Sequence, residues 1–341
     1  MVETSTIDEL DRQLTHCLGV DGQASFSQIA EILGVSDQTV ARRYRRLRSA
    51  GLLRVVGLDM ARQKTSLGWF LRMRCVPGSG EAIAAALARR TDTAWIQLLS
   101  GDTEVLCSIR GAAGEESRSL LAKLPRSSRI VAVTAHSRLH MFVGGQDGLG
   151  FLEVLPAERV EPLRRPARGG RVELGDLDSA LFDVLAVDGR TPYADLAAAT
   201  GWSESTVRRR VDQLRDAGVL YFDLELDTAA FGFLSSTWLW LSVPPSQLAA
   251  TGAALAKFPE VAYAAAVTGA ANLAAVVVCR DELAFYEFLT AKIGSLPGVE
   301  RVETSPVIRT VKQASTVMAP RHFSPERTVA SLQSQPLLCL P

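Results

Sequence analysis

An excess of charge of either sign is what this sequence lacks. Lys plus Arg and Asp plus Glu both number 37 in 341 residues, so the chain as a whole is neutral. Affinity for a polyanion therefore has to come from local patches, not from global charge. Cysteine is scarce: Cys17, Cys75, Cys107, Cys279 and Cys339 stand singly, the count is odd, and no CxxC pair or Cys/His cluster has metal-ligand spacing. Small buried hydrophobe is the expected role of most of them. Histidine is scarcer, at four residues, and neither a metal site, a cofactor site nor a catalytic constellation is expected. No apolar run reaches transmembrane length. The first residues, MVETSTIDELD, are acidic and lack the apolar segment of an export signal, so the expectation is a cytoplasmic protein with no membrane partner.

What is present is a repeat. The stretch FSQIAEILGVSDQTVARRYRRLRSAGLL, from Phe26 to Leu53, reads as a short apolar helix, a turn at Gly34, and a second helix from Ser36 to a stop at Gly51. Ser36 suits an N-cap, and Gly51 suits the left-handed residue that closes a helix. Val40, Tyr44 and Leu47 form one apolar stripe, and Gln38, Arg42, Arg45, Arg46 and Ser49 occupy the other faces. Two helices about a tight turn, the second cationic, is the helix-turn-helix pattern. Shifted by 167, Leu10–Leu53 lies over Leu177–Leu220 without a gap, and 19 of the 44 positions are identical. The shared positions include Asp21-Gly22/Asp188-Gly189, Ser36/Ser203, Thr39-Val40/Thr206-Val207 and Arg42-Arg43/Arg209-Arg210. Core, turn, cap and basic positions recur together, as a duplicated module requires.

Ile7–Leu18 is predicted as the first helix of the head, capped by Thr6 with Glu9. After each head the hydrophobic period switches from 3.6 to 2. Strands are predicted at 69–76, 94–99, 104–109 and 130–142, with helices at 80–90 and 115–124, giving the order βαββαβ. The second copy repeats it with strands at 238–243, 261–267, 273–279 and 299–311 and helices at 247–257 and 282–293. The fold class is α+β: two winged-helix-type heads, each followed by a ferredoxin-like sandwich. The expected boundaries are head 1 at 1–57, sandwich 1 at 66–143, a linker at 144–175, head 2 at 176–225, sandwich 2 at 234–318 and a loose tail at 319–341. The linker holds seven glycines, three prolines and five arginines. It reads as a partly ordered, solvated connector whose arginines could alternatively meet phosphate.

A three-helix head joined by a strand to such a sandwich resembles the Lrp/AsnC (feast/famine) transcription regulators. The residues that carry the resemblance are IDELDRQL, the Asp-Gly turn, IAEILGVSDQTVARRYRRLRSAGLL and the sandwich turn S-G-D-T-E. The resemblance implies heads that bind double-stranded DNA and sandwiches, the RAM domains, that bind a small amino-acid-like effector and assemble into homo-oligomers. It also implies that a tandem chain carries its own pseudo-dimer of non-identical readers. By resemblance the DNA-reading positions are Ser36, Gln38, Thr39, Arg42, Arg43 and Arg46, and in the second head Ser203, Ser205, Thr206, Arg209 and Arg210. Arg can bond guanine at two acceptors, Gln can pair with adenine, and Ser or Thr can reach bases or phosphates. Net charge is +4 over residues 36–49 and +1 over 203–216, so the first head is expected to bind more tightly. The effector positions implied are Ser100, Gly101, Asp102 and Glu104, and Thr268, Gly269 and Asn272. The second turn carries no acid.

Two alternatives stand beside this. Sirohaem decarboxylases share the architecture, also as two-copy fusions, but carry a His-Asn-Tyr-type run on the second sandwich strand. This chain has Thr93-Ala94-Trp95-Ile96-Gln97 and Val261-Ala262-Tyr263-Ala264-Ala265 there. His136 and His140 share a strand face by spacing and are expected to be half-exposed. The other alternative is an assembly partner of family members that does not itself bind DNA.

Overall fold

The computed structural model describes residues 7–59, 68–109, 128–313, 316–318 and 323–328. The chain divides into two compact units: Met1–Ala61 with Leu152–Phe231, and Arg62–Phe151 with Gly232–Pro341.

The first unit holds both heads. In head 1 the helices are α1 (Glu9–Val20), α2 (Phe26–Leu33) and α3 (Asp37–Ser49), followed by strand β1 (Leu53–Asp59). The cap of α1 is Asp8, whose carboxylate accepts from Asp11 N at 2.9 Å while Asp8 N donates to Asp11 at 3.1 Å. Thr6, expected in that role, lies outside the described residues, and Asp11 takes the box position expected of Glu9. Ser25 and Gln28 make a second capping box on α2. Leu14, Leu18, Ile29, Val40 and Leu47 are all but fully buried between the helices.

A short helix, α5 (Ala157–Val160), precedes head 2, which comprises α6 (Asp176–Val187), α7 (Tyr193–Thr200), α8 (Glu204–Asp216) and β6 (Leu220–Leu226). Strand β1 pairs antiparallel with β6, from Leu53↔Leu226 to Asp59↔Leu220. With the 167-residue repeat this register places Val56 opposite its own counterpart, Asp223, so a pseudo-two-fold axis passes between them. The recurring Asp-Gly turns pack onto this ribbon. A Cβ on Gly22 would stand 2.8 Å from a Val55 methyl and one on Gly189 2.9 Å from it, so neither turn has room for a side chain. Two further ion pairs obey the same axis: Arg48 meets Asp188 at 2.7 Å and Arg215 meets Asp21 at 2.8 Å.

The segment leading into head 2 is structured. It contains a 3-10 stretch at Gly145–Leu152, then α5 and a 3-10 turn at Glu161–Leu163. Leu152, Leu155, Val160 and Leu163 are buried. Leu155 N donates to His16 Nδ1 at 3.2 Å, and Arg159 donates to Ile32 O. Burial holds His16 below its ordinary pKa, in keeping with a neutral ring that accepts a bond.

The second unit has β2 (Trp69–Cys75), α4 (Gly80–Ala88), β3 (Thr93–Leu99), β4 (Glu104–Ile109) and β5 (Ile130–Val143) from the first copy. The second copy supplies β7 (Ser235–Ser242), α9 (Leu248–Leu255), β8 (Val261–Val267), β9 (Leu273–Cys279), α10 (Glu282–Glu287) and β10 (Arg301–Gln313); β11 (Thr316–Met318) and β12 (Phe323–Thr328) extend the edge. The helix expected over 115–124 lies outside the described residues. Two long strands serve both copies. The first half of β5 pairs with β2 and its second half, from Arg138, with β8. The first half of β10 pairs with β7 and its second half, from Val307, with β3. The order β3-β4-β2-β5-β8-β9-β7-β10 therefore closes on itself. Each copy buries an outer core under its helices, built on Leu71, Met73 and Cys107 in one and Leu239, Leu241 and Val277 in the other. A third cluster, with Phe70, Leu106, Trp238 and Trp240, faces inward. Cys17, Cys75, Cys107 and Cys279 are buried free thiols, pushed by loss of water up to about 12, 11, 12 and 11.

Across the β1–β6 ribbon, Arg54 holds Glu225 at 2.8 Å with both side chains almost fully buried. Arg54→Leu removes the cation beside a buried carboxylate and should cost about 3–5 kcal/mol in a denaturant titration, and adding Glu225→Leu should recover most of it. At the axis, desolvation pushes the Asp223 carboxyl up to about 6, well above its ordinary 3.8. Between those values the folded state keeps a proton that the unfolded state has lost, so stability falls as pH rises from about 4 to 6. Melting temperature followed against pH should show that fall in the native chain and not in Asp223→Asn.

Candidate nucleic-acid interface

Ser36 Oγ accepts from Thr39 N at 3.2 Å and Ser203 Oγ from Thr206 N at 3.3 Å, so these four residues start the two recognition helices. Their hydroxyls also meet in pairs, each at 2.9 Å. One exposed line of α3 runs Gln38, Arg42, Arg45, Ser49; the matching line of α8 runs Ser205, Arg209, Asp212, Asp216. Gln38, Arg42, Arg45, Ser205 and Arg209 are exposed.

Arginines elsewhere on these helices have structural partners. Arg43 bonds Asp8 at 2.7 Å and Asp11 at 2.9 Å, and Arg46 also bonds Asp11, whose side chain is fully buried. Despite desolvation, the bonds from Arg43 hold Asp8 below the usual carboxylate range. In head 2, Arg210 bonds Asp178 at 2.7 Å, and that bond, with Gly175 N, outweighs burial and lowers the carboxyl. Arg48 and Arg215 close the head-to-head contact, and Arg208 lies on the Tyr193 ring at 4.3 Å. The charge difference read along the sequence is thereby narrowed. Three of the five arginines on α3 answer acids, which leaves Arg42 and Arg45 facing solvent against Arg209 on α8, with the exposed Arg208 lying on the Tyr193 ring.

In the second unit, Ser100, Gly101 and Asp102 form a tight turn with φ of 52°, 70° and 68°. Left-handed geometry at Ser100 and Asp102 is uncommon for residues with side chains. Ser100 and Gly101 are exposed, and the Asp102 carboxylate lies against Gly80, at the start of α4, where a Cβ has no room. Glu104 is buried and committed: Arg72 donates to it at 2.6 Å and Ser305 at 3.2 Å. Asn272 is likewise committed, exchanging bonds with Val243 N at 3.0 Å and Val243 O at 2.7 Å. Thr268 continues the β5–β8 contact, with Oγ1 accepting from Ser137 N at 2.8 Å and its carbonyl 2.6 Å from His136 Nδ1.

The two turns are linked through Arg72 and Trp240, which spacing did not single out, and through His136, which spacing paired with His140. Arg72 stacks over Trp240 at 4.4 Å, Trp240 stacks on His136 at 5.1 Å, and His136 reaches Thr268 beside Gly269. His136 is 4% exposed, not half-exposed. The β5 register shift between Arg138 and His140 takes the two histidines out of phase, and His140 stands exposed on Phe142. Among the described residues no group of three His, Cys, Asp or Glu is placed to hold a metal ion.

The AsnC-type helix-turn-helix domain model matches residues 7–48 and again 174–215, and the Lrp/AsnC ligand-binding domain model matches 238–317. The HTH-type transcriptional regulator FL11 of Pyrococcus horikoshii is 30% identical over 146 residues, 42% of this chain and 96% of that protein. This chain belongs to the Lrp/AsnC family. The transcriptional regulator LrpA of Pyrococcus abyssi is 26% identical over 136 residues, 40% of this chain and 96% of LrpA. Such relatives span one copy, and this Lrp/AsnC chain carries two. Among solved structures, the siroheme decarboxylase NirDL covers 93% of this chain and 95% of its own with a TM-score of 0.59. At 13% identity that likeness shows the fold alone.

Proposed function

We propose that this Lrp/AsnC protein is a sequence-specific, double-stranded-DNA-binding transcriptional regulator of the cytoplasm whose two heads form one reading unit. The observation that carries this is the pair of recognition helices with solvent-facing Gln38, Arg42 and Arg45, and Ser205 and Arg209, held by a two-fold ribbon. A helix-turn-helix dimer presents its second helices to successive major grooves in this symmetry. The base-reading set is Gln38, Arg42, Ser205 and Arg209, with Ser36, Thr39, Ser203 and Thr206 at the helix starts, where backbone N–H groups favour phosphate. Arg43, Arg46 and Arg210 position the helices through their acids.

An amino-acid-like effector is assigned to the exposed Ser100–Asp102 turn, and to Thr268 and Gly269 across the Arg72–Trp240–His136 stack. Glu104 and Asn272 then shape those turns from beneath. Homo-oligomerisation is assigned to the sandwich unit, whose β11–β12 edge lies outside the closed ring. The decarboxylase reading rests on fold likeness, and the family relatives are regulators.

Capture and sequencing of genomic fragments retained by the full chain should recover a defined motif. Arg42→Ala with Arg45→Ala should weaken binding to it by more than tenfold with unchanged melting temperature, each good base contact being worth about 1–3 kcal/mol. Arg43→Ala should instead lower the melting temperature, since it removes one of the two arginines on the buried Asp11 and the partner of Asp8 at the start of α1. Retention of no DNA by the native chain, with a visible tetrapyrrole spectrum on adding sirohaem, would favour the enzyme.

A further inference from the structure

The line Ser205, Arg209, Asp212, Asp216 on α8 matches Gln38, Arg42, Arg45, Ser49 on α3, so head 2 carries an acid where head 1 carries Arg45. The structure supplies the missing cation from elsewhere. Arg165, in the segment before head 2, bonds Asp212 at 2.9 Å and Asp216 at 3.0 Å. The backbone around it is strapped to the same helix end: Arg168 N and Gly169 N both donate to Asp216 O, at 2.8 and 3.0 Å. Further on, the Glu173 carbonyl accepts from Arg210 at 2.7 Å. The strap thus meets α8 at Arg210, Asp212 and Asp216 and leaves Ser205, Arg208 and Arg209 exposed. Gly169 and Gly170, with φ of 78° and 143°, make the bend. Arg168 and Arg171 are exposed on it. Residues 164–171 contain four arginines and no acid, so strap and recognition helix together carry +5, against +4 over residues 36–49.

We propose that the strap from Arg164 to Arg171 is a phosphate-binding surface of head 2, with Arg165 standing in for Arg45 and Arg168 and Arg171 reaching the flanking DNA backbone. The proposal rests on the DNA-binding reading above. A segment that only connected the two copies would have no need to hold one arginine across both Asp212 and Asp216 of the recognition helix. Here one guanidinium is shared between the two acids and offsets one of their two charges, and the exposed guanidiniums of Arg168 and Arg171 add to it from the same segment. Arg164 is shared with Glu161 at 3.1 Å and is the least available of the four.

The test is the salt dependence of binding of the full chain to a fluorescein-labelled mixed-sequence duplex, with NaCl varied between about 50 and 200 mM. Arg168→Ala with Arg171→Ala should flatten the slope of log K against log salt by about 2, at roughly 0.9 for each phosphate no longer neutralised. Arg280→Ala with Arg301→Ala removes the same charge from the other unit and should leave the slope unchanged. Arg165→Gln should weaken binding, and adding Asp212→Asn and Asp216→Asn should restore it; melting temperatures confirm folding. An unchanged slope in the strap variant, or an equal fall in both double variants, overturns the proposal while the DNA-binding reading stands. Failure of the native chain to bind any duplex overturns that reading and the proposal with it.

Discussion

The antiparallel pairing of β1 with β6 is the constraint on which the first unit depends. Much of what recurs between the two heads outside their own cores serves that ribbon. The Asp-Gly turns are there because Val55 leaves no space for a Cβ, and Asp21 and Asp188 because each receives an arginine from the other head's recognition helix. The pairing is also made unsymmetrical where symmetry would permit a wrong partner. Arg54 opposes Glu225, whereas the equivalent pair across the axis is Tyr221 opposite Leu58. A β6 strand pairing with a second β6 in this register would set Asp223 against Asp223 and leave Glu225 facing Tyr221. A β1 strand pairing with another β1 would face Arg54 with Leu58. Buried charges without counter-charges cost several kcal/mol each, so the two heads of one chain select each other.

The sandwich unit applies the same rule with strands instead of turns. Because β5 and β10 each serve both copies, neither sheet has a free edge along that strand, and edges are where unwanted pairing begins. The halves of β5 and β10 that cross to the other copy each carry two register shifts, and β5 has one more where it begins its pairing with β2. They bend the strand and reset its inward and outward alternation. The interior that results is aromatic: Phe70, Trp238, Trp240 and Tyr263 pack ring against ring, and Arg72, lying on Trp240, brings its ion pair with Glu104 beside them. Trp238 Nε1 donates to Gln97 at 2.7 Å, which explains a polar residue in the middle of β3.

How much of this was legible follows from what periodicity can and cannot encode. The repeat offset, both serine caps, the closing glycines and the sandwich strands were readable, because each depends on residues close in sequence. The partner of a charged residue does not. Arg42, Arg43, Arg45, Arg46 and Arg48 look alike along α3, yet Asp8, Asp11 and Asp188 take three of them. The Asp11/Asp178 and Arg43/Arg210 identities held that information: an acid and a base that recur together at 32 residues' separation are a candidate ion pair. His136 was misplaced because a bulge, invisible to spacing, separates it from His140. The strap was read as connector because glycine and arginine content describes solvation, not where a carbonyl at a helix end will be capped.

The division of the arginines between structure and surface changes what recognition by this chain means. Rigid helices need their own cations to stay in place, and Arg43, Arg46 and Arg210 are committed to that. The groups left over differ in kind between the heads: Gln38, Arg42 and Arg45 on one, Ser205 and Arg209 on the other. A homodimer must read a palindrome because its two helices are identical. Here the two-fold axis is retained by the ribbon while the exposed side chains of the two recognition helices have diverged. On the DNA-binding reading, the preferred site is two unlike half-sites in fixed order, with a spacing set by the β1–β6 register and not by subunit exchange. Fusion of the copies is then what specifies the order. Two separate chains could always pair like with like, and only a covalent link combined with the Arg54–Glu225 asymmetry keeps the unlike heads together.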